Sequence, residues 1–116
     1  MEHITRCEEE VILSIFRLGE NASLQTVMDE VNKKYEHEWR PQTVSTFLGR
    51  LVRKGYLSME RSGRKVYYIP EISLEQYCRE CISERCRVLF DGDMEEFVQC
   101  AEKSKDSCRW KRGGRV

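Results

Sequence analysis

Apolar residues recur at helical spacing through the first half of the chain, and the period changes after residue 55. Thr5 followed by Glu8 has the spacing of a capping box, and Val11, Ile12, Ile15 and Phe16 then form a stripe that runs to Gly19. Ser23 is placed to cap a second helix carrying Leu24, Val27, Met28, Val31 and Tyr35 on one side. The polar stretch EHEWR leads to Pro41, which suits a first helical turn, and Val44, Phe47, Leu48, Leu51 and Val52 make a third stripe that stops at Gly55. YLSMERSGRKVYYIP follows, in which two extended runs flank the turn-favouring dipeptide Ser62-Gly63 and Pro70 closes the second run. The pattern predicts a β-hairpin there. Helix, helix, helix, hairpin is the order of a winged helix-turn-helix domain, whose third helix enters a major groove.

Ser73 and Gln76 form another capping-box pair, opening a helix with Leu74, Tyr77, Cys78, Cys81, Ile82, Leu89 and Phe90 at apolar positions. The tripeptide Asp91-Gly92-Asp93 breaks it, and Asp93 with Glu96 caps a last helix bearing Met94, Phe97, Val98 and Ala101. Two helices cannot bury both stripes in one another, so pairing with a second copy of the chain is expected. The remaining KSKDSCRWKRGGRV is basic and aperiodic and is expected to be disordered. The predicted organisation is a DNA-binding winged helix over residues 1–71, a helical dimerisation segment over 72–104 and a basic tail over 105–116. The fold class is mainly α with a small β-hairpin wing.

At 116 residues and 40% hydrophobic content there is room for one small domain plus an extension, but not for a second independent domain. No apolar run approaches the ~18 residues of a membrane span, and the start MEHITRCEEE lacks the order of a signal peptide. A cytoplasmic protein with reduced cysteines and no membrane partner is therefore expected. The formal net charge of zero conceals alternating segments. Residues 1–39 carry a net −5, residues 40–65 a net +6, residues 66–102 a net −6 and residues 103–116 a net +5. In the positive block from 40 to 65, seven bases accompany one acid, Glu60. That block is a local electrostatic footprint, of the kind expected where a chain meets nucleic acid.

Advancing by about 100° per residue, the apolar positions of the third helix gather within about 70° of one direction. The opposite side carries Gln42, Thr46, Gly49, Arg50 and Arg53, with Thr43 and Ser45 on its flanks. Gln reads adenine, Arg reads guanine, and Thr offers a hydroxyl and a methyl to thymine. Base reading is expected from Gln42, Thr43, Ser45 and Thr46, and phosphate contact from Arg50, Arg53 and the hairpin residues Arg61, Arg64 and Lys65, with Arg40 also placed at the DNA. Gly49 sits mid-helix, where glycine costs about 1 kcal/mol relative to alanine; close approach of a DNA backbone would explain it.

The segments ITRCEEEVILSIF, RPQTVSTFLGRLVRKGYL, SGRKVYYIPEISLEQY and LFDGDMEEFV resemble the BlaI/MecI/CopY family of bacterial repressors. The likeness spans about residues 4 to 102. It implies a homodimeric winged-helix repressor on a palindromic operator of double-stranded DNA, with the family's DNA-contacting helix positions on Gln42, Thr43, Ser45, Thr46 and Arg50. Its dimer core falls on Tyr77, Cys81, Leu89, Phe90, Met94, Phe97 and Val98. At the Asn-Phe bond cleaved in antibiotic-responsive members this chain has Cys100-Ala101, and it has isolated Cys100 and Cys108 in place of the C-x-C pairs of copper-responsive members. The inducing signal, and any sensor protein that relays it, are therefore not indicated.

Cys78, Cys81 and Cys86 in YCRECISERC suggest a metal or redox site as an alternative, against the plainer reading that Cys78 and Cys81 pack as small hydrophobes. Cys7 is expected to be structural. His3 and His37 have no acidic or cysteine companion at ligand spacing and are expected to be solvated. With no catalytic constellation and no Gly-rich phosphate loop, neither an enzyme nor a cofactor is expected. A winged-helix module that binds an acidic protein instead of DNA is the remaining alternative.

Overall fold

The computed structural model describes residues 2–108. The order of elements is α1 (Arg6–Leu18), a single 3₁₀ turn (Gly19–Asn21), α2 (Leu24–Tyr35), α3 (Pro41–Arg53), β1 (Leu57–Ser62), β2 (Lys65–Pro70), α4 (Leu74–Phe90) and α5 (Met94–Lys103). They divide into two compact units with the boundary between Ser73 and Leu74.

In the first unit α1 and α2 begin at capping boxes, and α3 begins at a proline. The Thr5 hydroxyl accepts from the Glu8 amide at 3.2 Å, and the Thr5 amide donates to Glu8 Oε1 at 2.9 Å. Ser23 caps α2 reciprocally with Thr26. Pro41 occupies the first turn of α3, where its missing N–H costs nothing. Val11, Ile12, Ile15, Val27, Val31, Val44, Leu48 and Leu51 are completely buried, so all three stripes meet in one core. Each such side chain contributes about 1.5–3 kcal/mol by burial, before the entropy of ordering is set against it.

Gly55, at φ +88°, reverses the chain out of α3 into the hairpin. The strands pair antiparallel from Leu57 opposite Pro70 to Ser62 opposite Lys65. That register corrects the expected turn: the two linking residues are Gly63 and Arg64, not Ser62 and Gly63. Gly63 adopts φ +66° in the first linking position, which is where two-residue hairpin loops favour glycine. The hairpin is fastened to the helices by the Tyr68 amide donating to the Ala22 carbonyl at 2.8 Å and by a bridge between Ser23 and Tyr67.

The second unit is the pair α4 and α5. Asp91 (φ +53°) and Gly92 (φ +87°) make the reversal between them, and the Asp93 side chain accepts from the Glu96 amide to start α5. Phe90 and Phe97 stack with ring centroids 5.6 Å apart. Little else is covered: Leu74, Ile82, Val88, Leu89, Met94 and Val98 are 44–58% exposed. The basic tail expected over 105–116 lies mostly outside the described residues.

Candidate nucleic-acid interface

The outward side of α3 is built by what its inward side buries. Val44, Leu48 and Leu51 are completely buried, and the helix period then turns Gln42, Ser45, Thr46, Gly49, Arg50 and Arg53 outward, all exposed. Thr43 is half-buried on the flank. The Thr46 hydroxyl donates to the Gln42 carbonyl at 3.0 Å, which fixes its rotamer while leaving the oxygen's lone pairs outward. At Gly49 a Cβ would meet nothing within 4 Å, so packing within the chain does not demand the glycine.

The cations divide sharply. Lys54 reaches inward, donating to Glu8 Oε1 at 2.7 Å and to the His3 carbonyl at 3.1 Å. Burial pushes the Glu8 carboxyl up, but the Lys54 hydrogen bond, the Thr5 amide and the charges of Lys54 and Arg50 outweigh it and hold the pKa below its ordinary 4.5. Glu8 Oε2 is buried without a hydrogen-bond partner. Arg40, Arg50, Arg53, Arg61, Arg64 and Lys65 form no salt bridge among the described residues, and all are exposed. Six of the seven bases of the positive block are therefore left for an outside anion.

On the hairpin, Arg64 occupies the turn. The register pairs Arg61 with Val66 and Lys65 with Ser62, so strand alternation sends Arg61 and Lys65 to opposite faces of the sheet. The structure brings Arg64 to the tip and does not gather all three bases on one side.

A run of rings supports α3 from behind, and sequence reasoning missed it. His37 is half-buried, and its Nε2 lies 2.7 Å from Glu10 Oε1; this overturns the expectation of a solvated histidine. His37 stacks on Trp39 at 4.2 Å with 7° between planes, Trp39 meets Phe47 at 5.1 Å, and the Arg50 guanidinium lies 5.7 Å from the Phe47 ring centre. Asn32 holds the loop by accepting from the Trp39 amide at 3.0 Å and donating to its carbonyl at 3.1 Å. The aromatic content of EHEWR was the available signal; the partners Glu10 and Asn32 lie outside that segment.

The cysteine alternative is not assembled in the chain. Cys78 is exposed, Cys81 is half-buried and Cys86 is buried, and among the described residues no three histidine, cysteine or acidic side chains form a metal-binding group. Cys78 is also not packed as a core hydrophobe; Cys86 is. Of the residues assigned to dimerisation, Tyr77 is buried, Cys81, Phe90 and Phe97 are half-buried, and Leu74, Cys78, Ile82, Leu89, Met94 and Val98 are exposed. Val88, 58% exposed, belongs with that apolar set and was not singled out by the helical pattern. No helix is long and apolar enough to cross a membrane among the described residues.

Three helices, a wing and a polar, cationic helix face define a winged-helix DNA-binding regulator. The chain belongs to the penicillinase repressor family, whose model matches residues 4–107, and so to a family of transcriptional repressors rather than enzymes. It is similar to an uncharacterised 16.5 kDa protein from the ptsI 3′ region of Latilactobacillus sakei, with 33% identity over 84 residues, 70% of this chain and 56% of that protein. It is also similar to an uncharacterised HTH-type transcriptional regulator, MJ0774, of Methanocaldococcus jannaschii, with 28% identity over 59% of this chain and 15% of that one. The chain thus spans little more than half of the first of these relatives and a small part of the second. Among solved structures, Bacillus licheniformis BlaI, in its monomeric form in complex with the blaP half-operator, superposes with a TM-score of 0.54 at 32% identity, covering 66% of this chain and 89% of that one.

Proposed function

We propose that the protein is a cytoplasmic repressor that binds a palindromic operator as a homodimer, with residues 1–71 contacting DNA and residues 72–104 holding the two copies together. Each protomer lays α3 in a major groove, reads bases with Gln42, Thr43, Ser45 and Thr46, and contacts phosphates with Arg40, Arg50, Arg53 and the wing bases Arg61, Arg64 and Lys65. Occupancy of the operator excludes polymerase. The observation that carries the reading is the outward side of α3, polar and cationic over its whole length while Val44, Leu48 and Leu51 on the opposite side are completely buried.

Two further points support the dimer. The apolar side chains of α4 and α5 are about half exposed in a single chain, and a second copy with the same stripes is the simplest cover for them. The BlaI relative was solved on a half-operator, and a half-site has meaning where a second half binds a second copy. The half-sites of the operator for this chain are expected about 34–36 Å apart, one turn of the duplex.

The test is binding to a palindromic duplex selected from random sequence, compared with a scrambled duplex over a range of salt, alongside sedimentation of wild type and of Leu89→Glu/Val98→Glu. Specific repression requires tight binding to the palindrome alone, and the double variant should sediment as a monomer and bind it weakly. Equal, weak binding to both duplexes would leave only a nonspecific basic surface.

A further inference from the structure

The hairpin has a second face, turned toward the end of α1. Cross-strand pairing of Ser58 with Ile69, Glu60 with Tyr67 and Ser62 with Lys65 puts Glu60, Ser62, Tyr67 and Ile69 on that face. With Ile15, Phe16 and Glu20 they line a cavity of about 520 Å³, inside the roughly 300–1,000 Å³ range of small-molecule sites. Its walls are largely apolar: Phe16, Tyr67, Ile15 and Ile69 line it.

The carboxylates lining this cavity are Glu20 and Glu60, and Lys65 stands on the same hairpin face beyond Ser62 without a salt bridge to either among the described residues. Glu60 is the one acid among the seven bases of residues 40–65. A carboxylate on the wing opposes phosphate binding, and strand alternation turns it onto the cavity face, away from the neighbouring Arg61. An anion is repelled by this arrangement. A neutral guest would use the rings and leave both carboxylates unused. A cation on an apolar body satisfies all of it, through ion pairing at the carboxylates and attraction to the faces of the aromatic rings.

We propose that the cavity between the wing and the end of α1 binds an organic cation with an aromatic or branched apolar body, its charge facing Glu20 and Glu60 and its body against Phe16, Tyr67 and Ile69. The cavity shares the wing with bases assigned to DNA, but the proposal does not rest on the repressor reading, and its test contains no DNA.

The probe is tetraphenylphosphonium, titrated into the ¹⁵N-labelled full chain, with neutral triphenylphosphine oxide as the apolar control. The expected result is saturable binding with amide shifts concentrated in residues 15–20 and 60–70. Glu20→Gln/Glu60→Gln should weaken the phosphonium about threefold to tenfold while leaving the weak binding of the oxide unchanged. Both side chains are exposed, so the variant keeps the fold, which the unperturbed remainder of the amide spectrum checks. Absence of saturation, shifts confined to α4 and α5, or equal phosphonium affinity in the variant would each overturn the proposal.

Discussion

Gly49→Ala separates what α3 needs as a helix from what it needs as a DNA-contacting surface. The residue lies inside a regular helix, is exposed, and does not adopt a left-handed backbone conformation; an added Cβ would have no atom within 4 Å. For the free protein the substitution is therefore a plain exchange of glycine for the best helix former. It should stabilise the first unit by about 0.5–1 kcal/mol, raising its melting temperature by about 2–8 °C. For the complex the sign reverses. Gly49 lies on the same outward side as Thr46, Arg50 and Arg53, and a methyl group there would enter the space reserved for a sugar or phosphate. Forcing an extra methyl into a packed contact costs about 1–3 kcal/mol, or roughly fivefold to 150-fold in Kd.

Thermal unfolding followed by circular dichroism reads the first effect, and fluorescence anisotropy with a labelled palindromic duplex at fixed salt reads the second. Opposite signs in the two measurements are expected. A variant that melts higher and binds within about twofold of wild type would refute the close-approach argument. The glycine would then have no role that the geometry explains.

Gln42→Ala should relax preference at one base position by about 1–3 kcal/mol, whereas Arg64→Ala should weaken binding to every sequence and lower the salt dependence by about one phosphate contact; specificity profiles from competing duplexes and a salt titration measure the two, and the same loss from both would show the division of roles to be wrong. Glu8→Gln should destabilise the first unit by about 3 kcal/mol, because it strands the Lys54 ammonium, whose side chain is 14% exposed and keeps the His3 carbonyl as an acceptor. Since the folded-state pKa of Glu8 lies below its ordinary 4.5, the pair's contribution is present above that value and is lost as pH falls through the lowered one. In urea titrations the gap between wild type and Glu8→Gln should be widest at neutral pH and close on the acid side; a gap that does not change with pH would contradict the ion pair.

Local signals in the chain are enough to locate the helices, while pairings across it are not. Caps at Thr5, Ser23 and Asp93, stripes of apolar residues and Pro41 in a first turn act within a few residues of each other, so α1, α2, α3 and α5 are readable in one pass. The hairpin is readable too, but its turn is not: Ser62-Gly63 and Gly63-Arg64 both place the glycine in the loop, and only the register decides between them. His37 finds Glu10 from 27 residues away, and Lys54 finds Glu8 from 46. No spacing rule reaches that far.

The same limit bears on the charge argument, which counts residues without knowing where they point. A count of seven bases in residues 40–65 does not say which face outward: Lys54 is committed to the core carboxylate, and strand alternation separates Arg61 from Lys65. Lys54 thus contributes to DNA binding only through the stability of the domain that presents α3. A neutral replacement there lowers stability and leaves the salt dependence of binding intact, while one at Arg64 does the reverse. The positive segment therefore divides in two, with Lys54 inside the fold and six bases on its surface, and only the surface group is placed to meet a duplex.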